Sequence, residues 1–166
     1  MVKWLRKTKS GMVIISIIRI LLGFIWLQAG VGKITSGGFS AQSMVVGAIK
    51  QPVLGPTGSP VYGWYTNFLK GIVQPNMGLF NFSVQYGELL IGLGLILGAL
   101  TTAAAFFGVA LNFTYLLAGS VSMNPMFLLG EFLILIAGLN AGKIGLDHWI
   151  IPNLRKHWPW LKRTVD

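Results

Sequence analysis

The chain has 166 residues, of which 54% are hydrophobic and only 10% charged, less than half of the roughly 25% usual in soluble domains. That composition excludes an ordinary water-soluble fold and bounds the chain to a single membrane domain, 1–166. Its 13 Lys and Arg against 4 Asp and Glu give a net charge of +9, but the basic residues gather at the two ends with no basic groove between them, which points to anionic lipid headgroups and away from nucleic acid.

The opening MVKWLRKTK is basic, and 12–33 follows it with Arg19 and Gln28 as the strongly polar interruptions. This run is long for a signal-peptide core, carries a charge and lacks a clean small-x-small cleavage site, so it predicts a retained first transmembrane helix. From 34 to 81 the chain is rich in Gly, Pro, Ser and Asn, including QPVLGPTGSP, and reads as a long outer loop. Two pieces of it, 40–50 and 61–72, predict short helices. In the second, Val61, Trp64, Tyr65, Phe68, Leu69 and Ile72 share one apolar face, as expected of a helix lying at the interface as a lid. Three further apolar runs, 82–100, 101–120 and 125–144, each approach the ~20 residues a membrane crossing needs. Short connections between them impose antiparallel neighbours. The expected fold is all-α: an integral membrane four-transmembrane-helix bundle, up-down-up-down, with short helices in the outer loop and a C-terminal interfacial segment. Lys3, Arg6, Lys7 and Lys9 before the first span, and Lys143, Arg155, Lys156, Lys162 and Arg163 at or after the last, predict that both termini are cytoplasmic in a multi-pass cell-membrane protein. The tail 145–166 mixes those charges with Trp149, Trp158 and Trp160, the composition of a segment held at headgroup level.

Ionisable groups within spans cost on the order of 2.5–3.5 kcal/mol each on insertion scales, so Arg19, Glu88 and Glu131 are functional candidates, with Lys33 at the outer end of the first span. At 100° per residue Arg19, Gly23, Trp26, Gly30 and Lys33 form one stripe that must face protein. Ala105, Gly108, Asn112, Tyr115 and Gly119 form another on the third span. The expected site is a polar pocket open to the outer face, walled by Gln28, Lys33, Gln85, Glu88, Asn112, Tyr115 and Glu131, with Arg19 reaching up toward Glu88. Glu88, Glu131 and Lys33 are the candidate catalytic groups; Arg19, Trp26, Gln28, Gln85, Asn112 and Tyr115 are candidates for holding a cofactor, although Trp26 reads more readily as packing. Which cation pairs with which glutamate stays open, and a purely structural ion pair fixing helix register is a competing reading. Cysteine is absent and both histidines, His148 and His157, fall in the tail, so no metal, haem or flavin is implied.

The segments RILLGFIWLQAGVGK, GELLIGLGLILGALTT and GEFLILIAGLNAGKIGLD, with Arg19, Gly23, Trp26, Gly30, Lys33, Glu88, Gly98, Glu131 and Asp147 in that order, resemble the DoxX/DoxD family from Arg19 to Asp147. The loop WYTNFLKGIVQPN resembles the branch containing the large subunit of thiosulfate dehydrogenase (quinone). The resemblance implies a membrane subunit of a thiosulfate:quinone oxidoreductase, which oxidises thiosulfate to tetrathionate, reduces quinone and works with a separate small subunit.

Two other classes compete with this expectation. One is a non-enzymatic membrane anchor or assembly partner of a soluble oxidoreductase. The other is a small lipid- or solute-binding membrane protein, for which the GxxxG spacings Gly94 to Gly98 and Gly138 to Gly142 leave a homo-oligomer open.

Overall fold

The computed structural model of the protein describes residues 1–158. Trp160, Lys162 and Arg163, which contribute to the orientation and tail readings, lie outside the described residues. The described chain is helical, and its extended pairing is limited to an isolated bridge between Leu54 and Pro60.

A six-residue helix, α1 (Val2–Lys7), precedes α2 (Lys9–Thr35). The break between them is made by Thr8, whose extended backbone lets its hydroxyl accept from the Gly11 amide at 3.0 Å. Such a cap satisfies one of the otherwise unpaired first-turn amides. The chain then forms α3 (Gln42–Lys50) and α4 (Gly63–Phe68). α4 does not end as a separate interfacial helix. It runs through a π-helical turn, Leu69–Val73, and a 3-10 turn, Gln74–Asn76, directly into α5 (Met77–Leu97). The outer loop is therefore shorter than expected and the second long helix starts earlier. The apolar face read for 61–72 also splits: Tyr65 and Leu69 are buried with Val73, while Val61, Trp64, Phe68 and Ile72 are exposed. The buried face packs under α3 against Ala41, Val45 and Ala48, a second small core at this end of the molecule.

α6 (Thr101–Leu117) and α7 (Asn124–Ala137) follow. The expected span 125–144 is interrupted at Gly138, whose φ of 57° and ψ of −131° suit only glycine. The short α8 (Leu139–Gly142) and then α9 (Asp147–His157) complete the described chain. α2, α5, α6 and α7 pack side by side, with α2 against α5 as the most extensive contact. Lys33 near the end of α2 meets Glu88 of α5, which meets Tyr115 near the end of α6, so consecutive long helices run antiparallel.

Two helical stretches are long and apolar enough to cross a membrane, Lys9–Thr35 and Gly63–Leu97; α6 and α7 are apolar but shorter, at 17 and 14 residues. Much of the exterior is apolar as well, with Ile17, Leu21, Phe24, Leu90, Phe106 and Leu129 all more than half exposed. Soluble monomers seldom leave so much apolar surface uncovered.

The α2–α5 seam is a backbone contact. A Cβ at Gly30 would stand 2.5 Å from the Leu89 nitrogen, one at Gly23 would stand 2.8 Å from Ile96, and one at Gly92 would collide with the Leu27 nitrogen. Small residues permit this approach, and the gain is close packing of main chain on main chain. Gly32, two residues from Gly30, faces open space. Gly30→Ala is therefore expected to lower thermal stability in detergent by about 1–3 kcal/mol through overpacking, whereas Gly32→Ala leaves it unchanged or raises it by up to about 1 kcal/mol. Equal melting temperatures for the two variants would contradict this seam.

Candidate functional site

Of the stripe on α2, Arg19, Gly23, Trp26 and Gly30 are buried and Lys33 is partly exposed; Ser16, one turn earlier, is buried as well. Its polar members do not form one pocket. They divide among three sites stacked along the bundle.

At the end bearing α3, Lys33 Nζ donates to Glu88 Oε2 at 2.6 Å and the Tyr115 hydroxyl donates to Glu88 Oε1 at 2.6 Å. Both oxygens of Glu88 are thus held, although its side chain is only 2% exposed against 26% for Lys33. A carboxylate this deep needs such partners, because its lost hydration must be replaced. Among the described residues this is the one ion pair. Lys33 also lies over the Phe39 ring, 5.4 Å from its centroid. The three groups line a cavity of about 400 Å³. Its apolar wall includes Ile25, Trp26, Ala29, Val84 and Phe127, and its polar rim includes Ser40, Ser43, Ser120, Ser122 and Asn124. The short helices form part of the wall: α3 contributes Ser43 and Met44, and the Ala41 amide is tied to α5 by a 2.9 Å bond to Asn81 Oδ1.

Behind that wall is a second cluster. Glu131 is fully buried, accepting from Trp26 Nε1 at 2.8 Å and from Asn112 Nδ2 at 2.8 Å. Room for the carboxyl exists because α6 carries glycine opposite it: a Cβ at Gly108 would collide with Glu131 Oε1. Glu131 and Asn112 do not line the cavity; Trp26 does, with its ring against the cavity and its N–H on Glu131. Trp26 is therefore both packing and partition.

The third site is at the opposite end. Arg19 is 1% exposed and donates from Nη2 to the Ile144 carbonyl at 2.7 Å. It does not reach Glu88. Arg19 precedes Lys33 by fourteen residues, about 21 Å along the helix axis, farther than any side chain spans. It packs instead against Gly98, whose carbonyl accepts from the Asp147 amide at 2.7 Å. Asp147 in turn accepts from the Leu100 amide at 2.6 Å and the Thr101 amide at 2.9 Å, capping the start of α6 from a distant part of the chain. Backbone bonds from Leu146 to Leu97 and from Asp147 to Gly98 complete the clasp. Gly98, at φ 65°, ends α5, and a Cβ there would run into the Arg19 guanidinium.

Two sequence candidates fall outside all three sites. Gln28 is exposed, since two residues from Trp26 is a 200° turn that places it on the opposite face of α2. Gln85 is half-buried in the α2–α5 seam, where its carbonyl faces Gly30, and it does not line the cavity. The cavity residues Phe39, Ser43, Ser120, Ser122 and Asn124 were not among the candidates. For Ser120, Ser122 and Asn124 the available signal was the polar stretch leading from α6 into α7, because antiparallel connectivity puts it at the same end as Lys33.

Comparison with family models, with curated proteins and with solved structures returns no match for this chain. The site is therefore read from its own chemistry. Removing the cation alone strands a buried carboxylate. Lys33→Met is expected to cost on the order of 2 kcal/mol, and the double variant Lys33→Met/Glu88→Gln to recover much of that loss. A double-mutant cycle on thermal unfolding checks it, and a coupling near zero would mean the pair is a solvated surface contact.

Proposed function

We propose that the chain is a DoxX/DoxD-like membrane subunit of a quinone-linked oxidoreductase, with the cavity at Lys33, Glu88 and Tyr115 as its quinone site. In this reading α2, α5, α6 and the broken α7–α8 stretch all cross the bilayer, and both termini lie on the cytoplasmic side. The apolar exterior and the buried ionisable groups support it. So does the length of Asn124–Gly142, which together spans about 28 Å despite the break at Gly138.

The observation that carries the proposal is the cavity itself. At about 400 Å³ it falls within the range of small-molecule sites, it joins an apolar wall to a polar rim, and two of its polar groups, Lys33 and Tyr115, converge on Glu88. A flat apolar ring with oxygen at its edge suits that lining. Reduction of a quinone held there to the quinol would need two electrons and two protons. The chain's own part is to position and to move protons. Tyr115 and Lys33 are donors at the cavity wall, and Glu88, bonded to both, is the group that holds and passes a proton between them. Lys33 is also the cation that would attract a sulfur oxyanion such as thiosulfate. In this reading the electrons come from that donor and pass through a second subunit.

A second reading, an anchor or assembly partner with no chemistry of its own, is favoured by one observation: all four oxygens of the two buried glutamates are already satisfied within the protein. Equilibrium binding of decylubiquinone to the full-length protein in detergent separates the two. Saturable binding is expected, weakened about tenfold or more by Tyr115→Phe or Glu88→Gln and unchanged by Gln28→Ala. Absence of saturable binding, or binding indifferent to both cavity variants, would favour the anchor.

A further inference from the structure

At the end of the bundle away from the cavity, the chain turns from α8 into α9 around a smaller pocket of about 220 Å³. Three of its lining side chains are basic or can become so: Lys143, His148 and Arg155. Its remaining wall is largely apolar, from Leu139, Ile151 and Pro152. Asp147 also lines the pocket, so one carboxylate stands among these cations. Both Asp147 oxygens are committed to the amides of Leu100 and Thr101, at the positive end of α6. Neither Lys143 nor Arg155 has a carboxylate partner among the described residues. Pro152 lies inside α9 and has no N–H to give to the carbonyl one turn earlier, that of His148, so the helix is locally open beside the pocket.

The surroundings indicate what would fill it. Leu139, Ile144, Leu146 and Trp149 are exposed apolar residues on the same turn and helix, with Trp149 63% exposed. Arg6 reaches the carbonyl of Ile136 at 2.8 Å, which places α1 and its Lys3 and Lys7 at this same end. A cationic pocket with apolar residues in its wall, close in sequence to exposed Trp, Leu and Ile, matches a phosphodiester headgroup whose acyl chains continue along the apolar exterior.

We propose that the α8–α9 pocket binds the phosphate of an anionic phospholipid through Lys143, His148 and Arg155. This rests on the membrane reading of the chain but not on the quinone reading. A site here would fix the depth of α9 and brace the start of α6, which Asp147 of the pocket lining caps. A phosphodiester is preferred because it is the anion carried at headgroup depth by a lipid whose acyl chains can meet the exposed apolar residues.

The test uses the full-length protein, delipidated in detergent and titrated with phosphatidylglycerol, with phosphatidylcholine of the same chains, and with inorganic phosphate, following thermal unfolding. Phosphatidylglycerol is expected to raise the melting temperature saturably, and the other two are not. Lys143→Gln/Arg155→Gln is expected to weaken that response about tenfold or more, while Lys50→Gln/Lys70→Gln, which removes two cations at the other end, keeps it. Because Lys143 is exposed and Arg155 only half-buried, the variant's lipid-free melting temperature should match the wild type and so report intact folding. Should it not, His148→Ala, at an exposed position, provides the same comparison. An equal response to both lipids, an equal response to inorganic phosphate, or a response unchanged in the pocket variants would overturn the proposal. Failure of the protein to insert into neutral phosphatidylcholine nanodiscs would overturn instead the membrane reading beneath it.

Discussion

The architecture depends on the contact between α2 and α5. Gly23, Gly30 and Gly92 remove the side chains that would hold these helices apart, and main chain meets main chain along the seam. In a lipid environment, where apolar side chains gain nothing by leaving the solvent, such close packing is one of the few forces that joins helices. It also fixes rotation. Once Gly30 sits on Leu89, the polar stripe of α2 is turned into the bundle, and Lys33 has to meet Glu88. The Lys33–Glu88 pair therefore follows from the seam, because the glycines permit one orientation of α2.

Helix identity and the inward stripe of α2 were legible in the sequence, because both follow from period and composition, and these survive any tertiary arrangement. The antiparallel order was legible from short connections. The partners were not. Arg19 was expected near Glu88, but its distance from Lys33 along the same helix places it at the other end, and Asp147, which it meets through Gly98, comes from a segment that reads locally as a helix end. Nothing local to Asp147 marks it as the cap of α6, since the amides it accepts from are 46 and 47 residues away in sequence. The continuity of α4 with α5 was hidden for a related reason. Pro75 reads as a loop residue, yet it stands in a 3-10 turn whose lost N–H a continuous helix tolerates.

The expectation of one polar pocket combined residues that share depth but not direction. Gln28 shows the difference most simply: it is at the level of Trp26 and faces the other way. Glu131 shows it more subtly. It is at the right depth and faces inward, but Trp26 stands between it and the cavity, so the two glutamates occupy separate environments. Glu88 has a cation and a phenol at a cavity wall, whereas Glu131 has two neutral donors in a closed one. Of the two, Glu88 is the one that lines the cavity. Glu131, bonded to α2 through Trp26 and to α6 through Asn112, joins three helices and keeps the partition upright.

The arrangement also constrains where protons could travel. Below Glu131, in the direction of Arg19, lies a layer of Leu22, Leu95, Ala105 and Ile134, all buried and all without polar atoms in their side chains. An unsatisfied proton or ion has nothing to bond to in such a layer, and several kcal/mol oppose its passage. The Arg19–Asp147 clasp is therefore insulated from the cavity, and its buried charge is a fixture of the fold with no path to the chemistry above. Under the quinone reading, protons reaching Glu88 would have to enter from the α3 end, through the serine-lined rim, and not through the bundle. The chain would then draw protons from one side of the membrane only, the side that admits the anionic donor to Lys33.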